Sequence, residues 1–212
     1  MNVLLINGSP NKNGCTHTAL LEIATKLQAE GINTTEHWIG DKAIMPCVGL
    51  TCRACETSGY CIYKDDTVNE AIDLAIKADG IIIGSPVYYA APNGSLCAFL
   101  DRMFFLKEKK YAYKPSAAIV SCRRGGASAA FDRLNKYFTI SSMPIVSSPY
   151  WNSVHGMTPD EVKKDIEGMQ TMRTLATNMA WLLKCIEQAK QAGIQAPILQ
   201  PRTHTNFIRT IE

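Results

Sequence analysis

The stretch "NVLLINGSPNKNGCTHT", residues 2–18, decides the fold. It begins with a nearly continuous apolar run, which is typical of a β-strand buried on both faces. A loop rich in glycine, asparagine and hydroxyl side chains follows, and then an amphipathic helix is predicted over 16–30. Because a helix N-terminus offers unpaired N–H groups and the positive end of the helix dipole, we interpret the loop as a phosphate site. An ordinary capped connection is the alternative.

The positions of the glycines in this loop limit which phosphate-containing ligands it could bind. The loop contains neither the G-K-[ST] of a Walker A sequence nor the G-x-G-x-x-G of the usual dinucleotide fingerprint. Nucleoside triphosphates and the common dinucleotide site are therefore disfavoured.

Strand candidates alternate with helix candidates along the rest of the chain. Strands are predicted at 2–7, 33–39, 79–86, 116–122 and 143–148, and helices at 16–30, 65–78, 93–106, 125–138 and 158–191, the last broken near Gly168. This alternation predicts a parallel sheet covered on both faces. We expect an α/β, flavodoxin-like three-layer sandwich with a five-stranded parallel sheet in the order 2-1-3-4-5.

Length and composition are those of one domain. The chain has 212 residues, 46% of them apolar and 19% charged, so it can bury a sizeable core. We expect a flavodoxin-like domain over 1–192, with a cysteine-rich insertion at 46–64 and a C-terminal tail at 193–212.

The charge and hydropathy of the sequence argue against nucleic-acid binding, a membrane span and a signal peptide. The net charge of +3 is small and scattered, which argues against nucleic acid. No apolar run approaches the roughly 18 residues that a membrane span requires. The run Val3–Ile6 is too short for a signal peptide and has no basic segment before it. We therefore expect a cytoplasmic protein.

Two further loops follow predicted strands at the edge where ligands bind in this architecture. After the third strand, Tyr88 and Tyr89 suit the covering of a flat aromatic ligand, although they could instead pack on a helix. After the fourth strand, Arg123 and Arg124 precede two glycines, which combines fixed positive charge with close backbone approach. Surface ion pairs are the alternative for these arginines.

Three motifs in order carry a resemblance to a known family. The "GSP…NG.T" loop, "GSPVYY" followed by "FLDR" (99–102), and "RRGGA" with a later "YWN" (150–152) resemble the NAD(P)H-dependent FMN reductase-like, iron–sulfur flavoprotein-like branch of the flavodoxin superfamily. The resemblance covers residues 1 to about 190. It implies non-covalent FMN, NAD(P)H as co-substrate, and a homodimer or homotetramer whose flavin pocket a partner subunit completes.

The resemblance also implies which residues bind the flavin. The phosphate would be surrounded by Ser9, Asn11, Thr16, His17 and Thr18; the isoalloxazine bordered by Pro86, Val87, Tyr88 and Tyr89; and its pyrimidine edge closed by Ser121, Arg123, Arg124, Gly125 and Gly126. Cys15 stands where relatives often carry asparagine. Trp151, Asn152 and His155 lie on the same rim and could contact substrate or a neighbouring subunit, unless the tryptophan is simply buried.

Four of the eight cysteines fall in one short segment. They are Cys47, Cys52, Cys55 and Cys61, with the spacing C-x4-C-x2-C-x5-C. The resemblance implies a [4Fe–4S] cluster, for which relatives usually show C-x2-C-x2-C-x5-C. Cys47 lies two residues further upstream, an insertion that Gly49 could absorb or that could free Cys47. A metal-free loop, a redox disulfide and a zinc site remain alternatives.

The sequence thus predicts an FMN-dependent oxidoreductase that uses NAD(P)H to reduce its flavin and then an acceptor. The acceptor would be a quinone, a nitro or azo compound, free flavin or an iron–sulfur partner. No catalytic side chain is predicted, because the cofactor carries the reaction. The alternative is a non-catalytic electron carrier of the flavodoxin type, but such carriers tend to be strongly acidic and this chain is slightly basic.

Overall fold

The computed structural model describes residues 1–49, 52–201, 203 and 205, with the backbone alone at 106–109. In this part of the chain a parallel sheet is formed by β1 (Asn2–Asn7), β2 (Asn33–Trp38), β3 (Gly80–Tyr88), β5 (Ser116–Cys122) and β6 (Ser153–His155), and β4 (Ala91–Pro92) folds back antiparallel on the end of β3. The order along the sheet is β2-β1-β3-β5-β6. The flavodoxin-like fold and its strand order are confirmed.

Helices cover both faces of the sheet. They are α1 (Cys15–Ala29), α2 (Ala54–Ser58), α3 (Val68–Lys77), α4 (Gly94–Tyr111), α5 (Ala127–Ile140), α6 (Pro159–Lys164) and α7 (Ile166–Gln191). Successive side chains of β1 point to opposite faces of the sheet and so belong to two separate parts of the core. Leu4 and Ile6 pack with α3, α4 and α5, whereas Val3 and Leu5 pack with α1 and α7. In the described part of the chain no helix has the length and apolar character that crossing a membrane demands.

The fifth parallel strand lies later in the chain than the sequence predicts. The segment 143–148 forms only an isolated bridge between Ile145 and Ser116, and the strand itself is β6. Pro144 has no N–H to donate to a ladder. Asn152 then fixes the returning chain, since its side chain donates to the carbonyl of Ala118 at 3.0 Å and its own carbonyl accepts from Val120. The predicted strand at 143–148 is therefore wrong in position.

The long C-terminal helix breaks three residues before the predicted glycine. The break lies at Asp165, whose carboxylate accepts from the backbone N–H of Gly168 at 2.9 Å and so begins α7. Thr158 caps α6, since its hydroxyl accepts from the N–H of Glu161. Residues 193–201 form neither helix nor strand, and positions 202, 204 and 206–212 of the predicted tail lie outside the described residues. The domain boundary at 192 stays a prediction.

Asn93 ties the start of α4 to the end of β1. Its Oδ1 accepts from the N–H of Ser95 at 3.1 Å, and its Nδ2 donates to the carbonyl of Gly8 at 2.8 Å. Gly8 also donates its N–H to the carbonyl of Gly84 at 2.9 Å. The ends of β1 and β3 and the start of α4 are therefore held together where the first two predicted ligand loops begin.

We expect Asn93→Ala to lower the free energy of unfolding by about 1–3 kcal/mol, because the helix cap is lost and the Gly8 carbonyl loses its partner. Ser95→Ala is the matched control, since the Ser95 side chain is only partly buried, and it should stay within about 0.5 kcal/mol of wild type. Urea unfolding measures both, and equal midpoints for the two variants would contradict this role of Asn93.

Candidate functional site

The loop after β1 ends on a helix that no side chain caps. Gly14 occupies the N-cap of α1 without a side-chain hydrogen bond, and the first turn carries no acidic residue. The loop itself is ordered by its own groups: Asn7 accepts from the N–H of Ser9, and Ser9 Oγ accepts from the N–H of Asn11, both at 3.1 Å. The unpaired amides of the first turn remain available to an anion.

Thr16 connects this loop to the end of β5. Its Oγ1 lies 2.9 Å from Ser121 Oγ in a buried hydrogen bond, which brings two predicted site residues of different loops together. His17 and Thr18 have other partners. His17 Nδ1 lies 2.9 Å from the Glu36 carboxylate, and the Thr18 hydroxyl donates to the carbonyl of Gly14.

Tyr89 lies at the tip of a tight hairpin formed by β3 and β4. Tyr89 and Ala90 have φ values of 51° and 58°, the left-handed region that a type I′ turn requires and that glycine or asparagine usually occupies. The Tyr89 side chain is fully exposed, and Tyr88 beside it is 47% exposed. A strained turn that presents two tyrosines to solvent is typical of a binding surface rather than of a core.

The loop after β5 carries two exposed positive charges. Arg123 and Arg124 are exposed, and neither forms an ion pair with a carboxylate of the described residues. Gly126, with a φ of 89°, occupies the N-cap of α5, again without a side-chain cap. Its missing side chain makes room for the tyrosine hairpin, because a Cβ there would lie 2.7 Å from the Cα of Ala90. The three predicted loops therefore meet at one edge.

These groups can hold a ligand that is both anionic and flat. Two uncapped helix N-termini favour negative charge, and so do two guanidinium groups that have no carboxylate partner among the described residues. The exposed tyrosines offer apolar faces to an aromatic ring. The residues present fit FMN, which combines a phosphate with a tricyclic ring.

Three residues that were predicted to lie on the rim of the site, Trp151, Asn152 and His155, belong to β6 or to the segment just before it. Asn152 is buried in the hydrogen bond to Ala118 described above. Trp151 is 55% exposed and lies edge-on to Tyr150, with ring centroids 4.7 Å apart, so the interpretation of a buried tryptophan is wrong. His155 is exposed, with its Nδ1 3.5 Å from Asp165 Oδ2.

The four clustered cysteines line one cavity. Its wall comprises Cys47, Cys52, Cys55 and Cys61 with Val48, Ile62, Tyr63, Arg102 and Phe105. Burial raises the pKa of the Cys55 thiol, and the neighbouring Cys52 and Cys47 raise it further, which fits thiols gathered around a common space. Gly49 takes a left-handed φ of 58° and donates its N–H to Cys47 Sγ at 3.4 Å. The two-residue insertion is thus accommodated with Cys47 still on the cavity wall.

The four thiols line a cavity, and they do not converge on the position of a single metal ion. Tetrahedral zinc needs its sulfurs at about 2.3 Å from one centre. Among the described residues no three His, Cys, Asp or Glu side chains converge in that way. A cluster of four irons and four sulfides is wider than a single ion, and cysteines around a cavity suit its ligation. Four thiols on the wall of one cavity are a donor set of the type that binds iron–sulfur clusters.

Arg102 is the residue at this cavity to which the sequence assigned no role. It lies on α4 with its side chain 1% exposed, and it makes an ion pair with Asp66. A signal existed in the sequence, since the charge stands beside Phe99, Leu100 and Met103 on a face that is otherwise apolar. A buried arginine is nearly always paired, but spacing along the chain could not identify Asp66 as its partner.

This chain is similar to known proteins in its sequence and its fold. The family described as NADPH-dependent FMN reductase matches residues 1–158. An iron–sulfur flavoprotein of Methanocaldococcus jannaschii is 31% identical over 196 residues, which cover 89% of this chain and 100% of that protein. An iron–sulfur flavoprotein of Methanosarcina thermophila is 28% identical over 195 residues, 89% of this chain and 98% of its own. A flavodoxin, WrbA-like protein of Agrobacterium tumefaciens shares the fold, with a TM-score of 0.62, 16% identity and coverage of 87% and 98% of the two chains.

We expect Gly126→Ala to lower the free energy of unfolding by about 1–3 kcal/mol, because its methyl group would overlap Ala90 in a left-handed backbone. The adjacent Gly125→Ala is the matched control: nothing lies within 4 Å of its Cβ, so it should stay within about 0.5 kcal/mol of wild type. Urea unfolding compares them, and a stable Gly126→Ala protein would show that the hairpin does not need this close approach.

Proposed function

This chain belongs to the NADPH-dependent FMN reductase family, in its iron–sulfur flavoprotein branch, and from that premise we propose that it is an NAD(P)H-dependent FMN oxidoreductase. The observation that carries the proposal is the meeting of three loops at the carboxyl ends of β1, β3 and β5. The buried bond between Thr16 and Ser121 joins two of them, and the contact of Gly126 with the tyrosine hairpin joins the third. Ligands of doubly wound sheets bind at this edge.

The loop after β1 would hold the phosphate. The uncapped amides at the start of α1 supply the strongest donors, with Ser9, Asn11 and Thr16 around them. His17 and Thr18 were also predicted to surround the phosphate. Their side chains are already engaged by Glu36 and Gly14, so they would act through the backbone or after rearrangement. Their direct contact with phosphate stays a prediction.

The other two loops would hold the ring. Pro86, Val87, Tyr88 and Tyr89 would border it, and Ser121, Arg123, Arg124, Gly125 and Gly126 would close its pyrimidine edge. When bound, FMN accepts two electrons from a nicotinamide and passes them to an acceptor. The residues would contribute position and charge: Arg123 and Arg124 would stabilise negative charge beside the ring, and Tyr88 and Tyr89 would shield its face from water. No side chain acts as a nucleophile.

The cysteine cavity would hold a [4Fe–4S] cluster through Cys47, Cys52, Cys55 and Cys61. The wall of four thiols around one space supports this. Such a cluster exchanges single electrons, so the chain could deliver electrons to a redox protein as well as to a small organic acceptor. This feature favours a second candidate function, an electron carrier with a cluster. The slightly basic charge of the chain does not favour that function.

A second copy of the chain is the expected partner. Tyr89 exposes its whole side chain at the edge of the sheet where the flavin site is proposed, and Trp151, which precedes β6, is also exposed. Contact with a partner subunit would cover them and complete the pocket. We therefore propose a homodimer or homotetramer.

The arginine loop provides the test of the flavin site. We expect the purified protein to bind FMN and to oxidise NADH or NADPH with a quinone as acceptor. Arg124→Ala should weaken FMN binding or slow its reduction about tenfold or more, because a hydrogen bond to a charged group contributes about 1.5–3 kcal/mol. Arg173→Ala removes a similar exposed charge from α7 and should change neither. Tight FMN binding without steady NAD(P)H oxidation would instead favour the carrier.

The cysteine cavity has its own test. Protein purified without oxygen should contain about four irons and four sulfides per chain. We expect Cys52→Ala to lose most of this iron while it retains FMN, because one of four ligands is gone. Cys185→Ala, which removes an exposed thiol on α7, should retain the iron. Wild-type protein that takes up no iron on reconstitution would refute the cluster.

A further inference from the structure

A single buried guanidinium closes the segment that carries the four cysteines. Arg102 Nη1 donates to the carbonyl of Met45 at 3.2 Å, and Nη2 donates to the carbonyl of Tyr63 at 3.1 Å. Met45 precedes the first cysteine and Tyr63 follows the last. Both nitrogens also donate to the carboxylate of Asp66, which lies beyond the cysteines as well. One side chain on α4 thus holds together the two ends of segment 45–66, the cysteine loop. We call these joined ends, Met45 on one side and Tyr63 with Asp66 on the other, the neck of the cysteine loop.

The remaining N–H of Arg102 is directed at a cysteine. Its Nε lies 3.1 Å from Cys61 Sγ. A guanidinium has five N–H donors in a fixed plane, and here each has an acceptor: two carbonyls, two carboxylate oxygens and one sulfur. Lysine could not replace it, because three donors on a flexible stem cannot span this set. The Tyr63 ring, 5.3 Å from the guanidinium carbon, covers the charge.

This arrangement affects both the shape and the electronics of the loop. Convergence of four cysteines on one loop is entropically costly, and a closed neck removes part of that cost before any metal arrives. A thiol sulfur is a weak acceptor, but a metal-bound thiolate is charged and accepts far more strongly. Hydrogen bonds to ligand sulfurs are among the features that set the reduction potential of an iron–sulfur cluster.

We propose that Arg102 is the positioning residue of the cysteine loop: it holds the neck closed in the metal-free chain, and through its Nε–H it raises the reduction potential of a cluster bound by Cys61. The second half rests on the cluster under the proposed function. The first half does not, since it concerns contacts within the metal-free chain.

The test uses two variants of the full chain and a control. Arg102→Lys keeps the charge but loses the neck contacts and the bond to Cys61. Asp66→Asn weakens the neck and leaves Nε–H facing the sulfur. Arg133→Lys, on α5 beside Asp101 and Tyr137, is the control. The readouts are FMN content as a check on folding, the rate of iron loss to a chelator, and the reduction potential measured by spectroelectrochemistry.

We expect Arg102→Lys to lose iron about tenfold faster or more, as changes behind a metal ligand typically do, and to shift the cluster to a more negative potential. Asp66→Asn should lose iron faster with an unchanged potential, and the control should match wild type in both. If Arg102 had only a structural role, Arg102→Lys and Asp66→Asn would give the same reduction potential of the cluster. Wild-type iron loss and potential in Arg102→Lys would overturn the proposal.

Hydrogen exchange decides the case in which Arg102→Lys does not fold. In metal-free wild-type protein, peptides that cover 59–66 should stay protected, because the neck is closed and the N–H of Cys61 donates to Asn69 Oδ1 at 2.9 Å. Full exchange of these peptides would overturn the proposal. If the wild type binds no cluster, the effect on the reduction potential fails together with the proposed cluster, and this measurement still decides whether the neck is preformed.

Discussion

The candidate site depends on how closely the carboxyl ends of β1 and β3 lie. Asn7 pairs with Gly84, and Gly8 donates its N–H to the Gly84 carbonyl at 2.9 Å. Both glycines are needed for packing: a Cβ at Gly8 would lie 2.4 Å from Leu96 of α4, and one at Gly84 would lie 2.8 Å from Thr16 of α1. Two missing side chains thus let two helices begin over one edge of the sheet, and the loops that lead into them share a single space.

Several local preferences are broken at the same edge. The helices α1 and α5 begin there at glycines, without a side-chain cap. Tyr89 lies in a left-handed turn that glycine would occupy more cheaply, and the nearby arginines have no acidic partner in the described part of the chain. Departures from local preference that cluster in one place are characteristic of ligand sites.

The cysteine loop follows the opposite principle. Its organising charge is buried and fully paired, because Arg102 satisfies all five donors with groups from the loop itself. Removing one partner from such a pair leaves an uncompensated charge, so the loop and α4 depend on each other. The candidate site at the carboxyl ends of the strands offers unsatisfied groups to a ligand, while the cysteine cavity offers thiols on a loop whose ends are already fixed.

Local patterns in the sequence were sufficient to predict the α/β sandwich and its strand order, because buried strands leave such patterns, and the sequence also shows the clustering of the four cysteines that line one cavity. It misplaced the fifth strand, since Pro144 and the long-range bond from Asn152 to Ala118 decide which segment pairs with β5. It could not assign partners to Arg102 or show that Gly49 keeps Cys47 at the cavity. Those outcomes depend on groups far apart in the chain, whose distances only the packed tertiary structure defines.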